Sequence, residues 1–155
     1  MKLKLNREYA LRHLFVTVLM LGLCGWFGYD GFVRYPATPA AELYKSIEGS
    51  DAPAGFNLEA FKVQKTQTQY GFTFLTLLAS LVIGGHVWLL SKFRFEYDDE
   101  SYTFAGKRVA IKDIKSVDRS QWEKKGIVKV DGIKLDAWHH AGVKEFEELL
   151  KKRQK

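Results

Sequence analysis

The feature that most constrains this chain is the stretch Thr66 to Ser91, TQTQYGFTFLTLLASLVIGGHVWLLS, 26 residues without an Asp, Glu, Lys or Arg. At about 1.5 Å of rise per residue its apolar part, Tyr70 to Leu90, makes a helix about 30 Å long, the thickness of a bilayer's hydrocarbon core. A transmembrane helix is therefore expected at 70–91. Once it is placed, every other segment must be assigned to one side of the membrane.

A second apolar run, Leu14 to Tyr29 (LFVTVLMLGLCGWFGY), follows the basic start MKLKLNREYALRH, which carries Lys2, Lys4, Arg7 and Arg12. A basic flank ahead of an apolar core is also the pattern of a cleaved signal peptide. Leu21-Gly22-Leu23-Cys24 approximates a lipoprotein processing site, but the residue before that cysteine should be small and is Leu23. No small-x-small site follows before Trp26 and Phe27. The expectation is a retained transmembrane helix at 14–33, with processing at Cys24 as the rival.

Two spans remove much of the 155-residue chain from any soluble core, so the remaining folded part must be small. Mean hydropathy, −0.20, averages apolar segments with a charged C-terminal third. From Lys92 onward there are sixteen Lys/Arg against twelve Asp/Glu, so four of the six excess positive charges lie there. A nucleic-acid binder shows a sharper, one-signed patch, so no nucleic-acid partner is expected. Anionic lipid headgroups suit this mixed surface better. Cys24 is the single cysteine, which excludes an intramolecular disulfide and a cysteine-based metal site.

Orientation follows from the basic residues near the span ends. Four precede the first span, Lys92, Arg94, Lys107 and Arg108 follow the second, and Arg34, Lys45, Lys62 and Lys65 are spread between them. Because two spans return the chain to the side where it began, both termini are expected in the cytoplasm: a basic N-terminus at 1–13, an extracytoplasmic loop at 34–69 and a cytoplasmic domain at 92–155. The loop contains all three prolines, with a helix-compatible piece at Ala40 to Ile47 and a turn at Ser50 to Pro53. Pro36 and Pro39 are expected to stop the first helix. The loop is either a plain connection or a contact surface for another membrane subunit through Tyr44, Phe56, Leu58 and Phe61.

Within the spans, Gly22, Gly25 and Gly28 lighten one side of the first, and Ser80 and Gly84 form a small-xxx-small pair in the second. Small residues let backbones approach in lipid, so these five are the expected packing residues of a helical hairpin or homo-oligomer. Asp30 at the end of the first span and His86 in the second are polar groups in apolar surroundings. They are candidates for a proton relay, with solvation at the interface as the plain reading.

After Ser91 the pattern shifts to short alternating segments. Phe93-Arg94-Phe95-Glu96-Tyr97 predicts a strand, Asp98-Asp99-Glu100-Ser101 a turn, and Tyr102-Thr103-Phe104 a second strand. Val109 to Ile111 and Ile114 to Val117 predict two more, and Glu123-Lys124-Lys125-Gly126 a polar turn. Ile127 to Val130, Asp131-Gly132 and Ile133 to Leu135 predict a hairpin. From Gly142, Val143, Phe146, Leu149 and Leu150 recur at helical spacing, with Lys151, Lys152 and Arg153 in the last turn.

Short antiparallel strands followed by one amphipathic helix resemble the bacterial pleckstrin-homology-like (PH-like) family, in particular members in which a pair of transmembrane helices precedes a small barrel. The likeness is carried by Phe93 to Phe104, Ile111-Lys112-Asp113-Ile114-Lys115-Ser116-Val117 and the helix Val143 to Leu150, over about 60 residues. It implies an α+β protein: a two-helix transmembrane hairpin, then a small antiparallel β-barrel closed by the C-terminal helix, in the bacterial inner (cytoplasmic) membrane. Such a domain is short for seven strands, so one strand is expected to be missing or irregular.

No nucleophile motif, glycine-rich phosphate loop or pair of carboxylates in apolar context is found, so no catalytic residue and no cofactor are expected. His139-His140 invites a metal reading, but adjacent side chains diverge, no third His or Cys lies near, and Asp136 alone cannot complete a tetrahedral set. An exposed pair at the start of a helix is the plain reading. Asp98, Asp99 and Glu100 read as a solvated turn rather than a calcium loop. Trp138 is expected as a core plug, and Trp122, beside Lys124 and Lys125, is a candidate membrane-surface ring, with core packing as the plain reading for both. The first expectation is thus a non-enzymatic scaffold or accessory subunit of a membrane complex, with Lys92, Arg94, Lys107, Arg108, Trp122, Lys124 and Lys125 at the lipid surface and another membrane protein or a second copy as partner. The alternatives are a membrane enzyme or transport component using Asp30 and His86 with a partner subunit, and a lipoprotein processed at Cys24.

Overall fold

A computed structural model of the chain describes residues 1–153. The class is α+β, with two long apolar helices and three small antiparallel sheets. The chain divides into two compact units: Leu14–Gly85 forms one, and Met1–His13 joins the residues from His86 onward in the other.

From the N-terminus, β1 (Lys4–Leu5) leads into α1 (Arg7–Tyr29), which passes through a π-helical turn at Asp30–Arg34 into α2 (Tyr35–Ala37). The expected stop at Pro36 does not occur. Pro36 lies in the first turn of α2, where a missing N–H breaks least, and the helix ends at Ala37, two residues before Pro39. There Thr38 is extended (φ −83°, ψ 132°), as the following ring demands. Next come α3 (Ala40–Glu48), closed by Gly49 at φ +76°, and α4 (Leu58–Ser91). The 34 residues of α4 measure about 51 Å, well beyond a bilayer core. Its first part, expected as loop, is helical because Asn57 accepts the Ala60 N–H at 3.0 Å and caps the start.

Both long helices have the length and composition to cross a membrane; their most apolar windows average hydropathies of 1.6 and 1.8 and are 0% and 6% buried. A core helix of a soluble protein would bury most of such a window. Within the Leu14–Gly85 unit the two helices pack along a seam where Thr17 meets Gly84, Gly28 meets Thr73, and Ser80 is buried. Phe27 lies 5.2 Å from Phe72 and Phe32 lies 4.6 Å from Tyr70. The 34–57 segment is folded rather than a bare connection: Leu43 is fully buried, and Tyr44, Phe56 and Phe61 cluster with centroids 4.9–5.9 Å apart. Lys62 ties α4 to α2 by donating to the carbonyls of Pro36 (2.9 Å) and Thr38 (2.7 Å).

In the other unit, β2 (Phe95–Tyr97), β3 (Ser101–Phe104) and β4 (Lys107–Ala110) form one sheet, followed by a 3-10 turn at Ile111–Asp113. A second sheet contains β5 (Val117–Asp118), β6 (Ile127–Val130) and β7 (Ile133–Asp136), with the short helix α5 (Trp122–Lys125) between β5 and β6. The β6–β7 hairpin turns at Asp131-Gly132, both at positive φ (+48° and +82°), as a two-residue Asp-Gly connection requires. The strand expected at Ile114 to Val117 shrinks to β5, and the polar turn expected at 123–126 is helical, ended by Gly126 at φ +66°. Last come β8 (His140–Ala141) and α6 (Val143–Arg153), which seats Val143, Phe146 and Leu150 against Phe95, Val128, Val130 and Leu135. Glu147, 1% exposed, is paired with Arg119 (2.9 Å) and Lys151 (3.2 Å).

The N-terminus belongs to this core. Leu3 is 2% exposed, β1 pairs antiparallel with β8, and Asn6 donates to the His139 carbonyl at 2.7 Å. On the other edge, Leu3 donates to Phe95 (2.9 Å), Tyr97 donates to the Met1 carbonyl (2.7 Å), and Lys2 pairs with Glu96. Residues 1–6 thus lie as a strand between β2 and β8. Among the described residues the strands remain three separate sheets and do not close into one: neither β4 with β5 nor β7 with β8 is paired. β5 and β8 have two residues each, and the 3-10 turn after β4 takes the chain out of register for pairing.

Candidate functional site

The cations expected at a lipid surface, Lys92, Arg94, Lys107, Arg108, Lys124 and Lys125, are all exposed. Arg108 is nevertheless committed internally, donating to Ser101 Oγ (2.8 Å) and Asp98 Oδ2 (3.0 Å). Asp98 also accepts the Glu100 (2.9 Å) and Ser101 (2.7 Å) amides, and these donors with Arg108 hold its carboxyl below the usual range. The acidic turn is therefore satisfied by its own backbone and by Arg108, an Asx turn rather than a cation cage.

Of the two tryptophans of this region, Trp122 follows the plain reading of core packing and Trp138 does not. Trp122 is half-buried against the core and anchors α5 to it. Trp138 is 45% exposed, because its amide is drawn to Asp136 Oδ1 (2.9 Å) in a turn that carries the ring outward. The Arg12 guanidinium lies 5.5 Å from the Trp138 ring, and Lys92 Nζ lies 5.3 Å from the ring of Trp88, itself 59% exposed. Two exposed tryptophan–cation pairs therefore stand at the start of α1 and the end of α4, residue types that prefer the boundary between hydrocarbon and headgroups. The i, i+4 spacing of Trp88 and Lys92 was a readable signal for one pair. Arg12 and Trp138 are joined only by tertiary structure.

The same place collects all four histidines of the chain. Tyr9 stacks on His13 at 4.0 Å and meets His139 edge-on at 4.8 Å; His86 lies 5.8 Å and His140 6.3 Å from His139. His139–His140, expected as an exposed pair, lies instead at the strand between β7 and α6. His140 is 4% exposed, beside Phe93 (4.7 Å), with Nε2 3.4 Å from the Leu90 carbonyl. Burial, first of all, pushes both imidazoles below their ordinary pKa, against the partial opposition of Asp136, whose Oδ2 is 3.6 Å from His139 Nδ1. No three His, Cys, Asp or Glu side chains among the described residues are placed to hold a metal ion.

In the Leu14–Gly85 unit, Asp30 is 6% exposed in the π-helical turn and pairs with Arg34 at 3.4 Å. Next to it Gly31 is pressed on Tyr70 and Gln69, where an added Cβ would come within 3.0 and 3.1 Å. Gly28, Ser80 and Gly84 lie in the helix seam, but Gly22 and Gly25 have nothing within 4 Å. Gly22 instead lies in an apolar groove of about 400 Å³ on α1, with Phe15, Val18, Leu19, Leu23 and Trp26. Cys24 is half-buried on α1 and unbridged. His86 belongs to the other unit and keeps the neighbours described above.

No family model matches the chain, and no curated protein and no solved structure matches it.

Proposed function

We propose that this chain is a non-enzymatic integral membrane protein that carries a small PH-like module on the cytoplasmic face of a bacterial inner membrane, as a scaffold or accessory subunit of a membrane complex. One observation carries the reading: the strand preceding the first apolar helix is hydrogen-bonded between β2 and β8, which follow the second. A chain whose two apolar helices are flanked by parts of one folded body leaves that body and returns to it, which is the path of a two-span hairpin. In PH-like terms, residues 1–6 supply a strand that the C-terminal segment is too short to provide, and α6 packs on the core as the family's terminal helix does. The exposed apolar windows of both helices support lipid as their surroundings, and the pairs Trp88–Lys92 and Arg12–Trp138 support an interface with anionic headgroups.

The test is membrane extraction of the full chain bearing a tag at each end. It should remain in the membrane through alkaline carbonate, enter solution only with detergent, and show both tags to protease from the same side. Release by carbonate, or tags on opposite sides, would overturn the reading.

A further inference from the structure

We propose that His139 and His140 form an acid-sensitive latch: while neutral they hold the N-terminal strand, the start of α1 and the end of α4 against the β7–α6 connection, and charging them in mild acid opens that joint. The geometry is of three separate chain segments meeting around these two rings: Tyr9 of α1 lies 4.8 Å and His86 of α4 5.8 Å from His139, the Leu90 carbonyl lies 3.4 Å from His140 Nε2, and the two imidazoles are 6.3 Å apart between centroids. The clamp and the strand pairing are the same object, since His139 accepts the Asn6 amide at 2.7 Å and His140 is the register partner of Leu5.

The charges around the cluster are unequal. From α1 come Tyr9, His13 and Arg12, the last already paired with Glu8; from α4 comes His86; from β7 and the turn after it come Lys134 and Asp136. Around His140 the neighbours are the Leu90 carbonyl, Phe93, His139 and Asp136. Asp136 acts on both imidazoles, and it already accepts the Trp138 amide. A proton on His139 finds Asp136, whereas protons on both adjacent imidazoles set two like charges 6.3 Å apart between ring centroids, where the repulsion is weakly screened. Buried histidine bound neutral in the fold releases its contribution as pH falls: stability is full above the ordinary histidine value of about 6.5 and is lost as pH drops through the lower folded value. The latch is a property of the folded unit and does not depend on what surrounds the apolar helices.

The experiment is amide hydrogen exchange on the full chain in neutral detergent micelles, at about pH 7.5 and about pH 5.5, corrected for intrinsic rates. Protection at Leu3 and Asn6 should fall by about tenfold or more at the lower pH, while Phe146 and Leu150 in α6 keep theirs. His139→Gln should keep protection at the higher pH and lose most of the response. Equal protection of the wild type at both pH values would overturn the latch. So would an unaltered response in His139→Gln, or a parallel loss in α6, which would mean general acid unfolding.

Discussion

At the scale of single residues, close approach separates glycines that look alike in sequence. A methyl group at Gly31 would meet Tyr70 and Gln69 at 3.0–3.1 Å, with the π-helical turn fixing the backbone, whereas one at Gly22 meets nothing. Gly31→Ala should therefore cost about 1–3 kcal/mol, and Gly22→Ala should be neutral or stabilise by up to about 1 kcal/mol, as thermal unfolding in detergent would show. Asp131 is the other residue with an outsized part. Its Oδ1 accepts the Lys115 (2.9 Å) and Ser116 (3.0 Å) amides, and its Oδ2 accepts the Tyr102 hydroxyl at 3.0 Å. Burial, together with Asp131, pushes the Tyr102 phenol up to about 12. Burial alone would raise Asp131, but the Ser116 amide, the Tyr102 hydroxyl and the Lys115 amide outweigh it and hold the carboxyl below its usual range. Stability from Asp131 is present above the ordinary carboxylate pKa and lost as pH falls through the lower folded value; that from Tyr102 is lost as pH rises from about 10 through about 12. Asp131→Ala should cost about 2 kcal/mol and bring one tyrosine back toward the ordinary range in a phenolate absorbance titration.

At the scale of elements, the N-terminal strand is the piece that periodicity could not reveal. Met1 to Asn6 has three polar or charged residues among six and reads as the basic flank of a span, yet Leu3 is only 2% exposed. The six residues alternate apolar and polar, but so short a run beside an apolar helix reads equally as a basic flank, and its partners lie about ninety and about one hundred and forty positions away. Leu3→Ala should destabilise the module by about 2–5 kcal/mol, measured by denaturant unfolding of the full chain in micelles with tryptophan fluorescence as the signal. A basic tail with no structural part would give no change. By contrast the β6–β7 hairpin and α6 were legible at once. Asp-Gly at positive φ and apolar residues at i, i+3 and i+7 are local instructions that need no distant partner.

At the scale of the whole molecule, each half of the chain contributes to both units. Residues 1–48 hold β1, α1, α2 and α3, and residues 58–153 hold everything from α4 onward. A protease site placed at 50–55, where no hydrogen-bonded helix or strand runs, should therefore leave the two fragments bound to each other in mild detergent. Co-purification through a tag on one fragment checks this, and adding Leu3→Ala to the cut chain should weaken it by removing one of the two attachments.

The sequence by itself determined two helices that must be covered by something apolar, a hairpin, an amphipathic final helix and an excess of cations after the second apolar helix, because each follows from the composition or period of neighbouring residues. Only the tertiary structure decided that the N-terminus is a strand of the C-terminal module, that Trp138 faces outward while Trp122 packs inward, and that four histidines from three segments meet. Those outcomes depend on contacts between positions far apart in the chain, whose free energy is set by which surfaces remain unpaired after the local elements have formed, and no local pattern encodes that remainder.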